Sequence, residues 1–128
     1  MAEMSNFLEN ALINATLRNT SYTSPTTTYL ALYTNDPTDA DTGTEITGGS
    51  YVRQSITFSS PSNGATSNSS AIEFPQATAD WGTITHVGIR DAVTSGNLLY
   101  HTPLDTSKTI SNGDIFKITS TNLSVTLA

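Results

Sequence analysis

The apolar positions near the start of the chain recur at helical spacing. Met4, Phe7, Leu8, Ala11, Leu12 and Ala15 share one face, and Asn6, Asn10 and Asn14 form a polar stripe on the other. Ser5 is placed to cap this helix, because its hydroxyl can accept a bond from an orphan N–H of the first turn. Ile13 and Leu17 widen the apolar surface beyond what one packed face requires, which marks the segment as a partner contact. The pattern predicts a helix over 4–19 that ends before Pro25 and its Ser/Thr neighbours.

Beyond it the pattern changes to strand and turn. In "TTYLALYT", Leu30 and Leu32 lie on one face and Tyr29, Ala31 and Tyr33 on the other, so both faces are apolar and a central strand is expected. In "YVRQSITF", Val52, Ile56 and Phe58 alternate onto one face. Asn63-Gly64 suits the positive-φ positions of a tight turn, and "AIEFP" reads as a short strand closed by Pro75. "GTITHVGIRDA" and "NLLYHTPLD" flank a loop of hairpin length, while "KTI" and "DIFKITS" flank a second Asn-Gly pair at Asn112-Gly113. The tail alternates, with Leu123, Val125 and Leu127 on one face. The expected fold is mainly β: a sandwich or small barrel of about seven to eight antiparallel strands with one N-terminal helix. Residues 1–128 are read as one domain, with the helix at 4–19 and the β body at 26–128.

Composition narrows the function classes. Charged residues make up 12% of the chain, against about 25% in an ordinary domain, and the net charge is −6. The five basic residues, Arg18, Arg53, Arg90, Lys108 and Lys117, are scattered. No basic patch is expected, which argues against nucleic-acid binding and against attraction to anionic membranes. Cysteine is absent, so neither disulfides nor thiolate metal sites enter. The first residues lack a basic, then long apolar, leader pattern, and no stretch reaches membrane-spanning length.

Several clusters are chemically suggestive. The loop from Asn35 to Ser50 carries Asp36, Asp39, Asp41 and Glu45, oxygen donors of the kind a hard cation takes. The spacing lacks the closing bidentate Glu of an EF-hand, so a solvated acidic loop is the preferred reading. His86 and His101 are placed to face each other across the hairpin between Asp80 and Asp105, but two polar positions on a solvated face explain them more simply. Serine is plentiful, yet no Gly-x-Ser-x-Gly elbow is present. Trp81 reads as a core or interface anchor, since the sequence around it supplies no aromatic company for ligand stacking. Arg90 and Asp91 read as a local charge pair or turn contact, and Arg53 as the partner of a neighbouring carboxylate. No catalytic residue and no cofactor are expected.

The order of these segments carries a resemblance. "LALYTNDPT", the Glu45 to Arg53 segment ending in "YVRQ", and "DWGTITHVGIRDA" followed by "SGNLLY" resemble a family of small tailed-bacteriophage virion proteins commonly labelled tail fibre proteins. The likeness runs from about Asn6 to Val125. It implies a non-enzymatic structural component of the particle, made in the host cytoplasm and assembled with other phage proteins.

Within that class the chain lacks repeats, heptads and any fibre period. It is therefore read first as a capsid decoration, or cement, protein bound to the major capsid protein as a homo-oligomer or symmetric array. Weak contacts made in many copies would hold it there. A tail fibre or tail-tip subunit touching the host is the alternative, and a small glycan-binding module or hydrolase a remote third. Phe7, Leu8, Ile13 and Leu17 are the candidate interface residues. Trp81, Arg53, Arg90 and Asp91 are the candidate structural anchors.

Overall fold

The computed structural model describes residues 2–127. In chain order the elements are β1 (Glu3–Met4), α1 (Asn6–Leu17), β2 (Thr28–Tyr33), β3 (Gln54–Ile56), β4 (Ala65–Ser67), β5 (Ile72–Glu73), β6 (Gly82–Arg90), β7 (Leu98–Ile110), β8 (Lys117–Ile118) and β9 (Ser124–Thr126). Five strands form one sheet in the order β1-β7-β6-β2-β3, and β4-β9 and β5-β8 form two separate ribbons. All these pairings are antiparallel. The fold is thus mainly β with one N-terminal helix, as the periodicity predicts. The five-stranded sheet ends in β1 and β3 and does not close into a barrel.

Each face of the sheet has its own cover. On one face Leu30, Leu32, Ile84, Val87, Ile89 and Ile110 pack against Ile72, Phe74, Phe116, Leu123 and Val125, side chains of the two ribbons and their flanking segments. On the other face, register sets Ala31 beside Gly88, Gly88 beside His101, and His101 beside Glu3, one row across β2, β6, β7 and β1. Gly88 makes room in this row: a Cβ there would lie 2.7 Å from Leu98 Cδ1 and 2.8 Å from Tyr33 Cε2. Helix α1 packs on β7, and the loop after β2 brings buried Pro37 over the same face. Apolar residues on both faces of β2 follow from this double cover.

Local chemistry accounts for many boundaries. Ser5 is the N-cap, extended at φ −72° and ψ 161°, and its Oγ accepts from Leu8 N at 3.2 Å. Its own hydroxyl donates to Leu98 O at 2.5 Å, so the cap also ties the helix to β7. The turn at Asn63-Gly64 has φ of 53° and 76°, both in the left-handed region that this turn type requires. The hairpin of β6 and β7 forms around the loop at 91–97.

Four sequence expectations need correction. Met4 is not in the helix but pairs with Tyr100 in β1, because the extended Ser5 separates the two elements. The helix also stops at Leu17, short of Asn19, which turns to φ 52°. Val52 is exposed, since β3 begins only at Gln54. The second hairpin does not form: Lys108 to Ile110 continue β7 against β6, whereas β8 turns away to pair with β5. Asn112-Gly113 remains a turn, with Gly113 N bonded to Ala77 O, but it links two layers rather than two neighbouring strands.

Candidate functional site

Three charged networks lie on the loop-covered side of the sheet. In the first, Arg53 Nε and Nη2 each donate to a Glu45 oxygen at 2.8 Å, and Nη1 donates to Ala92 O at 2.9 Å and Ser95 O at 2.8 Å. Tyr51 donates its hydroxyl to the same carboxylate at 2.6 Å. Burial pushes the Glu45 carboxyl up, but the bonds from Arg53 and Tyr51, with the charges of Arg53 and Arg90, outweigh it and hold the pKa below its ordinary value. Burial, reinforced by Glu45, drives the Tyr51 hydroxyl well above its ordinary range, so it acts as a donor throughout.

The second network centres on Arg90, whose guanidinium grips both Asp41 oxygens at 2.8 and 2.9 Å. It also donates to Tyr33 Oη at 2.9 Å and Gly96 O at 3.0 Å. Burial works against this charge, yet the bonds to Asp41 and Tyr33 prevail and raise the pKa. The sequence-adjacent pairing of Arg90 with Asp91 does not occur. Asp91 lies just past the end of β6 and accepts from Asn97 N and Nδ2 across the hairpin loop, which is the turn contact of the sequence reading rather than the charge pair. Arg53 does pair with a nearby carboxylate, Glu45.

His101 forms the third network. It is buried, and its Nε2 lies 2.7 Å from Asp39 Oδ1. His86 does not face it. Register pairs His86 with Pro103 and His101 with Gly88, and the His86 ring bonds Thr85 Oγ1 instead. The four acids of the loop therefore do not converge on one point: Asp41 and Glu45 are held by arginines, Asp39 by a histidine, and Asp36 Oδ1 accepts from Thr38 N.

Trp81 is buried, and its Nε1 donates to Gly49 O at 2.9 Å. Contrary to the reading of its sequence neighbourhood, it has aromatic company. Tyr51 and Phe74 meet it edge-on at 5.5 and 6.3 Å, and Phe116 adds an edge contact to Phe74 at 5.7 Å. Only Phe74 lies near Trp81 in the chain, and Tyr51 and Phe116 come from distant segments that no local pattern could announce. The rings form core rather than an open stacking platform, since Trp81, Phe74 and Phe116 are all buried.

Among the candidate contact residues, Leu8 is buried against the body, whereas Phe7, Ile13 and Leu17 are exposed, Leu17 to 79%. A groove of about 420 Å³ runs between β7 and the segment leading into β8. It is lined by Leu104, Asp105, Lys108, Ile115 and Lys117 among others, so it gathers both lysines and a single carboxylate. That set does not supply the two flanking acids of a glycosidase. Among the described residues no helix is long and apolar enough to cross a membrane.

Fold and side chains together define a β scaffold with three charge networks over one face of its sheet and exposed apolar residues on its helix. Over residues 3–126 the chain matches the profile of the family described as Podophage GP4 fiber I protein gp80, and it belongs to that family of phage fibre proteins. No curated protein matches it. Its role is accordingly that of a structural phage protein of the virion. The match backs the fibre reading, which ranked second on sequence alone, over decoration of the head.

Proposed function

We propose that the chain is a non-enzymatic subunit of a tail fibre or its attachment site on a tailed phage. The family match over residues 3–126 carries the reading. The architecture favours a globular fibre component over a shaft: the sheet is covered on both faces, and the sequence carries neither heptads nor repeats. Residues 1–128 act as one virion structural domain. Neighbouring phage proteins, or further copies of this chain, meet it through the helix, where Phe7, Ile13 and Leu17 remain uncovered by its own fold.

Gold-labelled antibody against the protein, applied to purified virions, tests this placement. Label confined to the tail supports it. Label spread over the head in proportion to capsid area overturns it and restores the decoration reading.

A further inference from the structure

His101 is 3% exposed, yet carboxylates surround its ring. Nε2 lies 2.7 Å from Asp39 Oδ1 and 3.9 Å from Glu3 Oε2, and Nδ1 lies 3.7 Å from Asp36 Oδ1. The other two acids of the loop are each matched to an arginine, Asp41 to Arg90 and Glu45 to Arg53. For Glu3, Asp36 and Asp39 the only cationic partner among the described ion pairs is His101 itself. Even a protonated imidazole leaves three carboxylates under-compensated, whereas a divalent ion balances two of them outright.

The donor atoms suit such an ion. Nε2 of His101 and one oxygen each from Asp39 and Glu3 lie within 4.8 Å of one another. Ligands at about 2.0–2.2 Å in a tetrahedral zinc site stand roughly 3.3–3.5 Å apart. The short His101–Asp39 separation must therefore open slightly and the His101–Glu3 separation close slightly. Both adjustments fall on carboxylates with room to move, since the side chains of Glu3 and Asp39 are 70% and 47% exposed.

The frame behind the donors is fixed. Glu3 and His101 are directly opposed in the β1–β7 ladder, and Asp39 is pinned through its carbonyl, which accepts from Asn6 N at 2.8 Å. Asp36 faces the other ring nitrogen, where a carboxylate orients a metal-binding imidazole in known sites of this kind. The exposed side chains of Glu3 and Asp39 face solvent, from which water would supply a fourth ligand.

We propose that Glu3, Asp39 and His101 bind a divalent transition ion of the zinc class, clamping β1 and the acidic loop onto β7. This set differs from the four loop acids suggested by the sequence, sharing only Asp39 with them. The inference is independent of where on the particle the protein sits.

The test uses the full chain without a histidine tag, stripped with chelator and titrated with Zn²⁺ by calorimetry and with Co²⁺ by visible absorption. The expected result is one equivalent bound, with a rise in Tm at saturating Zn²⁺ that EDTA reverses. Glu3→Gln and Asp39→Asn, both at exposed side chains, should each weaken binding at least about tenfold while the protein stays folded, a loss on the scale of other ligand-shell changes. His101→Ala should abolish it, and His86→Ala should leave it unchanged. The absence of saturable binding below about 1 mM overturns the proposal. So does one-equivalent binding that survives both carboxylate variants, or that disappears with His86→Ala.

Discussion

Replacing Arg53 with Ala should be among the most damaging changes at any charged position. The side chain is 8% exposed and makes four hydrogen bonds, two to Glu45 and one each to the carbonyls of Ala92 and Ser95. It therefore joins the acidic loop, the approach to β3 and the β6–β7 hairpin loop. Removal leaves the Glu45 carboxylate held by the Tyr51 hydroxyl alone among the described side chains. Breaking a fully buried pair from one side costs about 3–5 kcal/mol. Because the Glu45 side chain retains 22% exposure and can recover some water, we place the loss at about 3 kcal/mol.

In a chain of 128 residues, each kcal/mol moves Tm by roughly 3–5 °C, so the midpoint should drop by about 10–15 °C. The fluorescence of Trp81, the single tryptophan, follows equilibrium urea unfolding without an added probe. Arg53→Lys keeps the charge but not the fork, and should recover less than half of the loss. A double-mutant cycle with Glu45→Ala should return a coupling of about 2 kcal/mol. An Arg53→Ala loss below about 1 kcal/mol, or a coupling near zero, would refute the argument that this desolvated fork holds the loops together.

The remaining expectations use the same purified chain. Glu45 has a folded pKa below its ordinary 4.5, so its contribution is complete above about pH 5.5 and is lost as pH falls through 4.5 towards the lowered folded value. Glu45→Gln should flatten that stretch of a stability-against-pH profile, and an unchanged acid limb would contradict it. Trp81→Ala should cost about 3–5 kcal/mol by calorimetry, through the cavity and the lost ring contacts. Trp81→Phe should cost less, since its ring still fills part of the site while the bond to Gly49 O is lost. Ile13→Ser with Leu17→Ser should shift stability by no more than about 0.5 kcal/mol per site but reduce incorporation into particles. Normal incorporation would remove the helix stripe as a contact.

Where one segment suffices, most of the pattern holds, the exceptions being the ends of the helix and the start of β3. The Ser5 cap depends on the first turn alone, Asn63-Gly64 on two backbone angles, and the centrality of β2 on alternation within a single strand. The hairpin of β6 and β7 needed only two apolar runs and a loop of the right length. Composition excluded disulfides outright. Segment order carried a family resemblance, and the profile match then showed that family.

Partnership across the fold was a different matter. Arg90 chose Asp41 over its neighbour Asp91, Trp81 acquired Tyr51 and Phe74, and β8 joined β5 instead of the end of β7. Glu3 met His101 because β1 settled on the edge of β7, a pairing with no local signature in either segment. Local conformation follows from steric limits and hydrogen bonds within a few residues, which the order of side chains states directly. Which charges and rings meet depends on sheet register and on which faces are covered. Those are properties of the whole packed chain, decided only when every apolar face has found its cover.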